Sequence, residues 1–135
     1  MDTQQRMIAR NCKDAAENNT MDFPQIVGTL IEAGFESYIV DFRRQTATYY
    51  LPNDESVEFT THETAVPVAA VLDGEALGAA IREAQNLEPG YTYSGFCAKA
   101  KAAGCAGYMV SFSGKRAVYF GRAGATHVEY FPGSR

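Results

Sequence analysis

The sequence contains no tryptophan, only two histidines and only three cysteines, and these shortages exclude several classes of protein. An odd number of widely spaced cysteines argues against a disulfide framework. No histidines or cysteines stand at the spacing of a zinc motif, so we expect neither a metal nor a cofactor. No apolar run reaches the roughly 18 residues of a membrane span, and the first residues lack the pattern of a signal peptide. We therefore expect a cytoplasmic protein with no membrane partner.

Basic charge is also scarce. The net charge is −4 and the sequence pI is near 5.1, whereas a nucleic-acid-binding protein usually carries a basic patch or stripe. The two compact basic clusters, Arg43-Arg44 and Lys115-Arg116, fall at predicted turns. We therefore expect no nucleic-acid partner. At 135 residues, 46% of them hydrophobic, the chain has the size and composition of a single globular domain.

The sequence does contain a helical pattern followed by three segments of alternating apolar residues. Asp22 is a typical N-cap, Pro24 falls in the first helical turn, and Gly34 is suited to end the helix in the left-handed conformation. A weaker helical pattern over 2–18 precedes this unit. The alternation predicts three strands joined by turns, a β-meander. The predicted strands cover residues 38–42, 47–51 and 57–59.

The helix and meander occur twice, at an offset of 70 residues. Between residues 23–50 and 93–120 seven positions are identical, where ordinary composition gives roughly two by chance. These positions are a helix end and inward-facing strand residues, which indicates a true internal repeat. In the first copy they are Ala33, Gly34, Tyr38, Val40, Phe42, Ala47 and Tyr49.

The repeat predicts the fold class. Each unit of about 40 residues buries too little apolar surface to fold by itself. We therefore expect a single α+β domain with pseudo-twofold symmetry, built from two helix and three-stranded antiparallel meander units, each preceded by a further helix. One inserted residue in the last turn is predicted to align Val57-Glu58-Phe59 with Val128-Glu129-Tyr130. The predicted boundaries are 1–135 for the domain, about 22–60 and 92–131 for the repeats, and 61–90 for the connector and helix between them.

Several short motifs resemble those of a known family: Asp22-Phe23-Pro24, Thr48-Tyr49-Tyr50, Tyr93-x-x-Phe96-Cys97, Ala103-Gly104 and Tyr119-Phe120. They are similar to motifs of the YdfO-like family of uncharacterised bacterial proteins, some of which are called phage envelope proteins. The chain departs from many members in having Tyr108 where they carry tryptophan. The resemblance implies an α+β fold, a bacterial source and a prophage origin, and it brings no activity and hence no catalytic residue.

Cys97 is the first candidate nucleophile, since the partial positive charge at a helix N-terminus activates thiols. Its counterpart in the first repeat is Val27, a member of the apolar helix face. A small buried side chain is therefore favoured over a catalytic thiol. Cys105 aligns with Phe35 and takes the same interpretation.

The two histidines are the candidates for acid–base chemistry. His62 and Glu63 follow the third strand, where isolated polar residues usually lie at the surface. His127 is predicted to lie beside Glu129, on the meander face opposite the apolar Val128. We favour a cross-strand hydrogen bond as its role.

Tyrosine is the most suggestive residue type. Tyr38 and Tyr49 of the first repeat recur as Tyr108 and Tyr119 of the second. A tyrosine offers apolar bulk with one polar group, which suits either a core margin or a ligand pocket. Core packing is the favoured interpretation, and a groove where the two copies face each other is the functional alternative.

Three functions remain open on the sequence. The first choice is a non-enzymatic binding or regulatory module for a small molecule or a protein, with the four repeated tyrosines as its ligand-binding residues. The alternatives are a small enzyme that uses Cys97 or His62 with Glu63, and a phage-related structural protein. Because two meanders have sheet edges that must be paired or covered, a homodimer is also expected.

Overall fold

The computed structural model describes residues 1–62 and 65–132. Over these residues the chain forms two successive units, each made of two helices and a three-stranded antiparallel meander. The predicted α+β class, with a further helix before each repeat, is confirmed. The first unit contains α1 (Thr3–Glu17), α2 (Phe23–Glu32), β1 (Ser37–Asp41), β2 (Thr46–Tyr50) and β3 (Ser56–Thr60). The second contains α3 (Gly74–Gln85), α4 (Tyr93–Ala102), β4 (Cys105–Ser111), β5 (Arg116–Gly121) and β6 (Thr126–Tyr130).

The two meanders join edge to edge, which the sequence left open. The strand order is β3-β2-β1-β4-β5-β6, so the antiparallel pairing of β1 with β4 makes one six-stranded sheet. Ile39 pairs with Met109 at the middle of that contact, and Tyr38 and Val40 pair with Val110 and Tyr108. Ile39 lies opposite its own repeat counterpart, and Tyr38 and Val40 lie opposite each other's counterparts. A two-fold axis through the Ile39–Met109 pair would give the same register.

The helix boundaries follow from local chemistry. The Asp22 carboxylate accepts a hydrogen bond from the backbone N–H of Gln25, and the Gln25 side chain accepts one from the Asp22 backbone. This capping box satisfies N–H groups that the helix itself leaves unpaired. Gly34 and Gly104 follow the ends of α2 and α4 with φ of +96° and +88°. The predicted left-handed helix ends are therefore confirmed.

The core lies between the helices and one face of the sheet. Buried residues of both repeats form a single hydrophobic cluster, in which Leu30 of α2 and Leu77 of α3 are among the largest fully buried side chains. Along β1 the core-facing Tyr38 and Val40 alternate with half-buried neighbours, as a sheet covered on one side requires. The tyrosines of the repeat therefore lie at the interface between the helices and the sheet.

The predicted insertion in the last turn is wrong. Tyr119 pairs with His127 in β6, as Tyr49 pairs with Val57 in β3, so the offset of 70 residues continues to the end of the repeat. Both turns are closed by a backbone hydrogen bond over five residues, Leu51 to Glu55 in the first copy and Gly121 to Ala125 in the second.

This register also reverses the predicted faces of β6. His127 and Glu129 lie on the core side of the sheet, while Val128 is 40% exposed on the opposite face. The alternation of apolar residues predicted the wrong face because the core-facing positions of β6 are polar. The hydrogen bond of His127 is to Glu129, two residues along the same strand, with Nε2 and Oε1 3.0 Å apart, and not across strands as predicted.

Candidate functional site

A cavity of about 250 Å³ lies between the helices and the sheet, where the two repeats meet. Matching segments of the two copies line it: the C-terminal parts of α1 and α3, the first turns of α2 and α4, and the strands β1, β2, β4 and β5. We call it the inter-repeat cavity. Its wall includes Cys12, Ile26, Tyr38, Tyr49, Ile81, Phe96, Tyr108 and Tyr119.

The structure brings the four repeated tyrosines together in the wall of this cavity. Each is 4 to 8% exposed. The ring centroids of Tyr38 and Tyr49 are 5.3 Å apart, and so are those of Tyr108 and Tyr119. Tyr38 and Tyr108 contact each other across the junction of the repeats at 6.3 Å. Their role in ligand binding stays a prediction, but their positions now define one site.

The hydroxyl groups of these tyrosines differ in their partners. The Tyr108 and Tyr93 hydroxyl oxygens are 2.7 Å apart and share a hydrogen bond. Within residues 1–62 and 65–132, the hydroxyls of Tyr38, Tyr49 and Tyr119 form no hydrogen bond. In the first repeat the counterpart of Tyr93 is phenylalanine, so Tyr38 lacks the partner that Tyr108 has.

Three unpartnered buried hydroxyls are unusual in a folded protein. Leaving a buried polar group without a partner costs about 1 to 3 kcal/mol. Burial also raises the pKa of Tyr38, Tyr49 and Tyr119 above 10.0, so these phenols stay protonated at neutral pH. The wall therefore presents neutral hydroxyls. Each can donate a hydrogen bond to a molecule in the cavity or accept one from it.

One rim of the cavity carries an ion pair on α1. Lys13 Nζ lies 3.0 Å from Glu17 Oε1, and the backbone N–H of His62 donates to Glu17 Oε2 at 2.6 Å. The His62 ring is 74% exposed, with Nδ1 3.4 Å from Glu17 Oε1. The predicted partner Glu63 lies outside the described residues, so the pairing of His62 with Glu63 stays untested.

The opposite side holds a polar pair that the sequence analysis did not select as a site. Glu129 lines the cavity and receives the hydrogen bond of His127, whose ring centroid is 6.3 Å from that of Tyr119. A Cβ atom on Gly74 or Gly78 of α3 would lie 3.8 or 3.9 Å from the imidazole ring. α3 therefore packs beside the histidine with room for an alanine at either position in ordinary van der Waals contact. Continuing the offset of 70 residues through the last turn would have revealed this pair.

The three cysteines are buried and form no disulfide. Cys97 and Cys105 are 0% exposed and Cys12 is 1% exposed. Burial raises the pKa of the Cys12 and Cys105 thiols to about 11. Cys97 therefore lies in the core, as the comparison with Val27 predicted. Its sulfur is not accessible to a substrate from solvent.

Alkylation of the native protein by iodoacetamide at pH 8 is expected to be very slow. A thiol pKa of about 11 instead of 9.0 reduces the thiolate fraction of Cys12 and Cys105 about 100-fold, and burial slows all three thiols further. Intact-mass measurement should show unmodified protein after hours, and three modifications within minutes in denaturant. Selective labelling of Cys97 in the native state would instead restore the thiol enzyme as a candidate.

In the described part of the chain, no group of three or more histidine, cysteine, aspartate or glutamate side chains could hold a metal ion. No helix among these residues is long and apolar enough to cross a membrane.

The fold and the site together define a duplicated α+β protein with a tyrosine-lined cavity between its halves. The model of the DUF1398 family, described as a protein of unknown function, matches residues 12–129, and the chain belongs to this family. The matched segment contains the wall of the inter-repeat cavity from Cys12 to Glu129. No curated protein matches the sequence.

Proposed function

We propose that this protein is a non-enzymatic binding module that holds a small molecule in the inter-repeat cavity. The observation that carries the proposal is the set of unpartnered hydroxyls of Tyr38, Tyr49 and Tyr119 around an open volume of about 250 Å³. A guest that hydrogen-bonds to them would remove the cost of their burial. Convergent polar groups in an otherwise apolar pocket are typical of ligand sites.

The cavity also limits the size and polarity of the ligand. An engineered cavity of about 150 Å³ in another protein admits benzene, so about 250 Å³ suits a molecule with one or two rings. Aromatic and aliphatic side chains such as Phe96, Ile26 and Ile81 form much of the wall. The expected ligand is therefore mainly apolar, with one or more groups that hydrogen-bond to phenols.

The alternatives have weaker support. The thiol enzyme needs a substrate to reach Cys97, which is 0% exposed. His62 contacts Glu17 at the rim, and its ring extends into solvent. The phage-related structural role rests only on the label of the resembling family. A cytoplasmic location and a homodimer formed through sheet edges remain proposals from the sequence.

The absence of tryptophan makes indole compounds suitable probes, because indole emission then comes from the probe alone. Tryptophol is a neutral indole alcohol of about 12 non-hydrogen atoms. At roughly 0.5 kcal/mol per atom its Kd would be tens of micromolar. Titration with the protein should give a saturable blue shift and a rise in emission anisotropy, with one site per chain.

Tyr38→Phe and Tyr108→Phe form a matched pair that tests the role of the unpartnered hydroxyls. Tyr38→Phe is expected to raise the stability of the empty protein by about 1 kcal/mol and to weaken tryptophol binding about fivefold. Tyr108→Phe should lower stability by about 1 to 2 kcal/mol, because Tyr93 loses its partner. Urea unfolding and the fluorescence titration measure the two effects.

Two results would contradict the proposal. No saturable binding of tryptophol or any similarly sized indole would remove the small-molecule function. A loss of stability in Tyr38→Phe as large as that in Tyr108→Phe would show that internal water already satisfies the Tyr38 hydroxyl.

A further inference from the structure

We propose that Glu129 binds a protonated amine, so that the ligands of the inter-repeat cavity are small aromatic or aliphatic amines. This inference rests on the proposed small-molecule function and specifies the chemical class of the ligand. It depends on the arrangement of Glu129, His127 and Tyr119 at one side of the cavity and on the charges along the cavity wall.

Glu129 has a carboxylate oxygen available to a ligand. His127 Nε2 lies 3.0 Å from Glu129 Oε1 and holds the carboxylate on the core side of β6. Within the described residues, Oε2 has no hydrogen bond, and no lysine or arginine lies within ion-pair distance of Glu129. A protonated amine donates up to three hydrogen bonds and accepts none. It therefore complements a carboxylate that has one oxygen unused.

The charges lining the cavity favour a cation over an anion. Among the described residues, the charged side chains that line it are Lys13, Glu17, Asp22 and Glu129, and their formal charges sum to −2. Lys13 is paired with Glu17, and Asp22 caps α2 by accepting a hydrogen bond from Gln25. Glu129 is thus the carboxylate with neither a lysine partner nor a capping role. An anionic ligand would face an excess of negative charge in a partly desolvated site.

The buried Tyr119 hydroxyl is an independent sign of a ligand beside Glu129. Tyr119 is 8% exposed, and its hydroxyl makes no hydrogen bond with the described residues. It pairs with His127 across β5 and β6. The aromatic rings of the wall add favourable interactions with a cation. A ligand with an amine near Glu129 and a polar group near the phenols would satisfy both features.

The pair belongs to the second repeat alone. The positions equivalent to His127 and Glu129 in β3 are Val57 and Phe59, which are apolar. The α3 residues beside the imidazole, Gly74 and Gly78, also lie in the second unit. The two sides of the cavity therefore differ in their polar groups, an ion pair on one and a histidine–carboxylate pair on the other, which would fix the orientation of an asymmetric ligand.

Three indole probes of similar size distinguish the effect of ligand charge on binding from the effect of ligand shape. Tryptamine carries an ammonium group, tryptophol a hydroxyl in the same place, and indole acetate a carboxylate. We expect the wild-type protein to bind tryptamine about 10-fold more tightly than tryptophol, and indole acetate more weakly than either. Glu129→Gln should weaken tryptamine binding about 10-fold and change the Kd of tryptophol less than about threefold.

Glu58→Gln is the matched control, since Glu58 is an exposed carboxylate of the other edge strand, β3, and lies outside the cavity wall. It should leave the preference for tryptamine over tryptophol in place. Equal affinities of the wild type for tryptamine and tryptophol would overturn the amine proposal and leave small-molecule binding standing. A preference that survives in Glu129→Gln would also overturn it. Failure of all three probes to bind would instead remove the proposed function itself. Because the three probes are compared on the wild-type protein, this part of the test does not depend on whether a variant folds.

Discussion

Replacing Gly104 by alanine is expected to lower the free energy of unfolding by about 4 kcal/mol, whereas Gly34→Ala should cost only about 1 kcal/mol. Both glycines end a helix in the left-handed conformation, where a side chain costs about 1 to 2 kcal/mol. At Gly104 a Cβ atom would also lie 2.1 Å from the Val71 carbonyl oxygen. At Gly34 the nearest atom is Gln5 Nε2 at 3.5 Å, the end of a flexible side chain.

The difference between these variants measures how tightly the connector packs on the second repeat. Val71 lies in the connector that leads into α3, and the backbone N–H of Asp73 donates to the Ala103 carbonyl at 2.7 Å. A Cβ on Gly104 would force this backbone away. Urea unfolding of the two variants gives the comparison directly. Equal losses of stability in the two variants would mean that the connector backbone moves to accommodate the added methyl group. In that case α3 is not fixed against the end of α4.

Filling the inter-repeat cavity with Ala117→Leu is expected to abolish tryptophol binding while stabilising the protein. Ala117 lies in β5, is buried, and lines the cavity. A leucine there would occupy part of the open volume of about 250 Å³ with apolar atoms. Filling a cavity commonly adds about 0.5 to 2 kcal/mol of stability. The Kd of tryptophol should rise more than about 30-fold, a loss of about 2 kcal/mol of binding free energy.

The control is Ala102→Leu, the same substitution at an exposed position of α4 outside the cavity wall. It should leave the tryptophol Kd unchanged, so that a general effect of added hydrophobicity is excluded. A stabilised Ala117→Leu protein that binds tryptophol as tightly as the wild type would place the binding site elsewhere.

The internal repeat made much of this fold predictable. The same physical pattern appeared twice, and the ends of α2 and α4 at Gly34 and Gly104 lie where the duplicated Ala-Gly pair predicted them. The positions of Tyr38 and Tyr108 in the core face followed from strand alternation. The pairing of β1 with β4 could not be read in the same way, because backbone hydrogen bonds between strands do not depend on side-chain identity.

The candidate site was predicted only in part, for a physical reason. Hydrophobic alternation identifies the buried face of a strand when that face is apolar. In β6 the core-facing residues are His127 and Glu129, so the apolar Val128 was assigned to the wrong face. The connector was equally hard to interpret, since contacts such as that of Val71 with Gly104 depend on distant backbone.

The most direct test of the central claim is to locate bound tryptophol by intermolecular nuclear Overhauser effects. The cavity predicts contacts between the indole protons and the rings of Tyr38 and Tyr119, one from each repeat. The same experiment on Ala117→Leu should show no such contacts. Contacts confined to exposed residues such as Val128 on the opposite face of the sheet, or no contact with either tyrosine, would contradict the account.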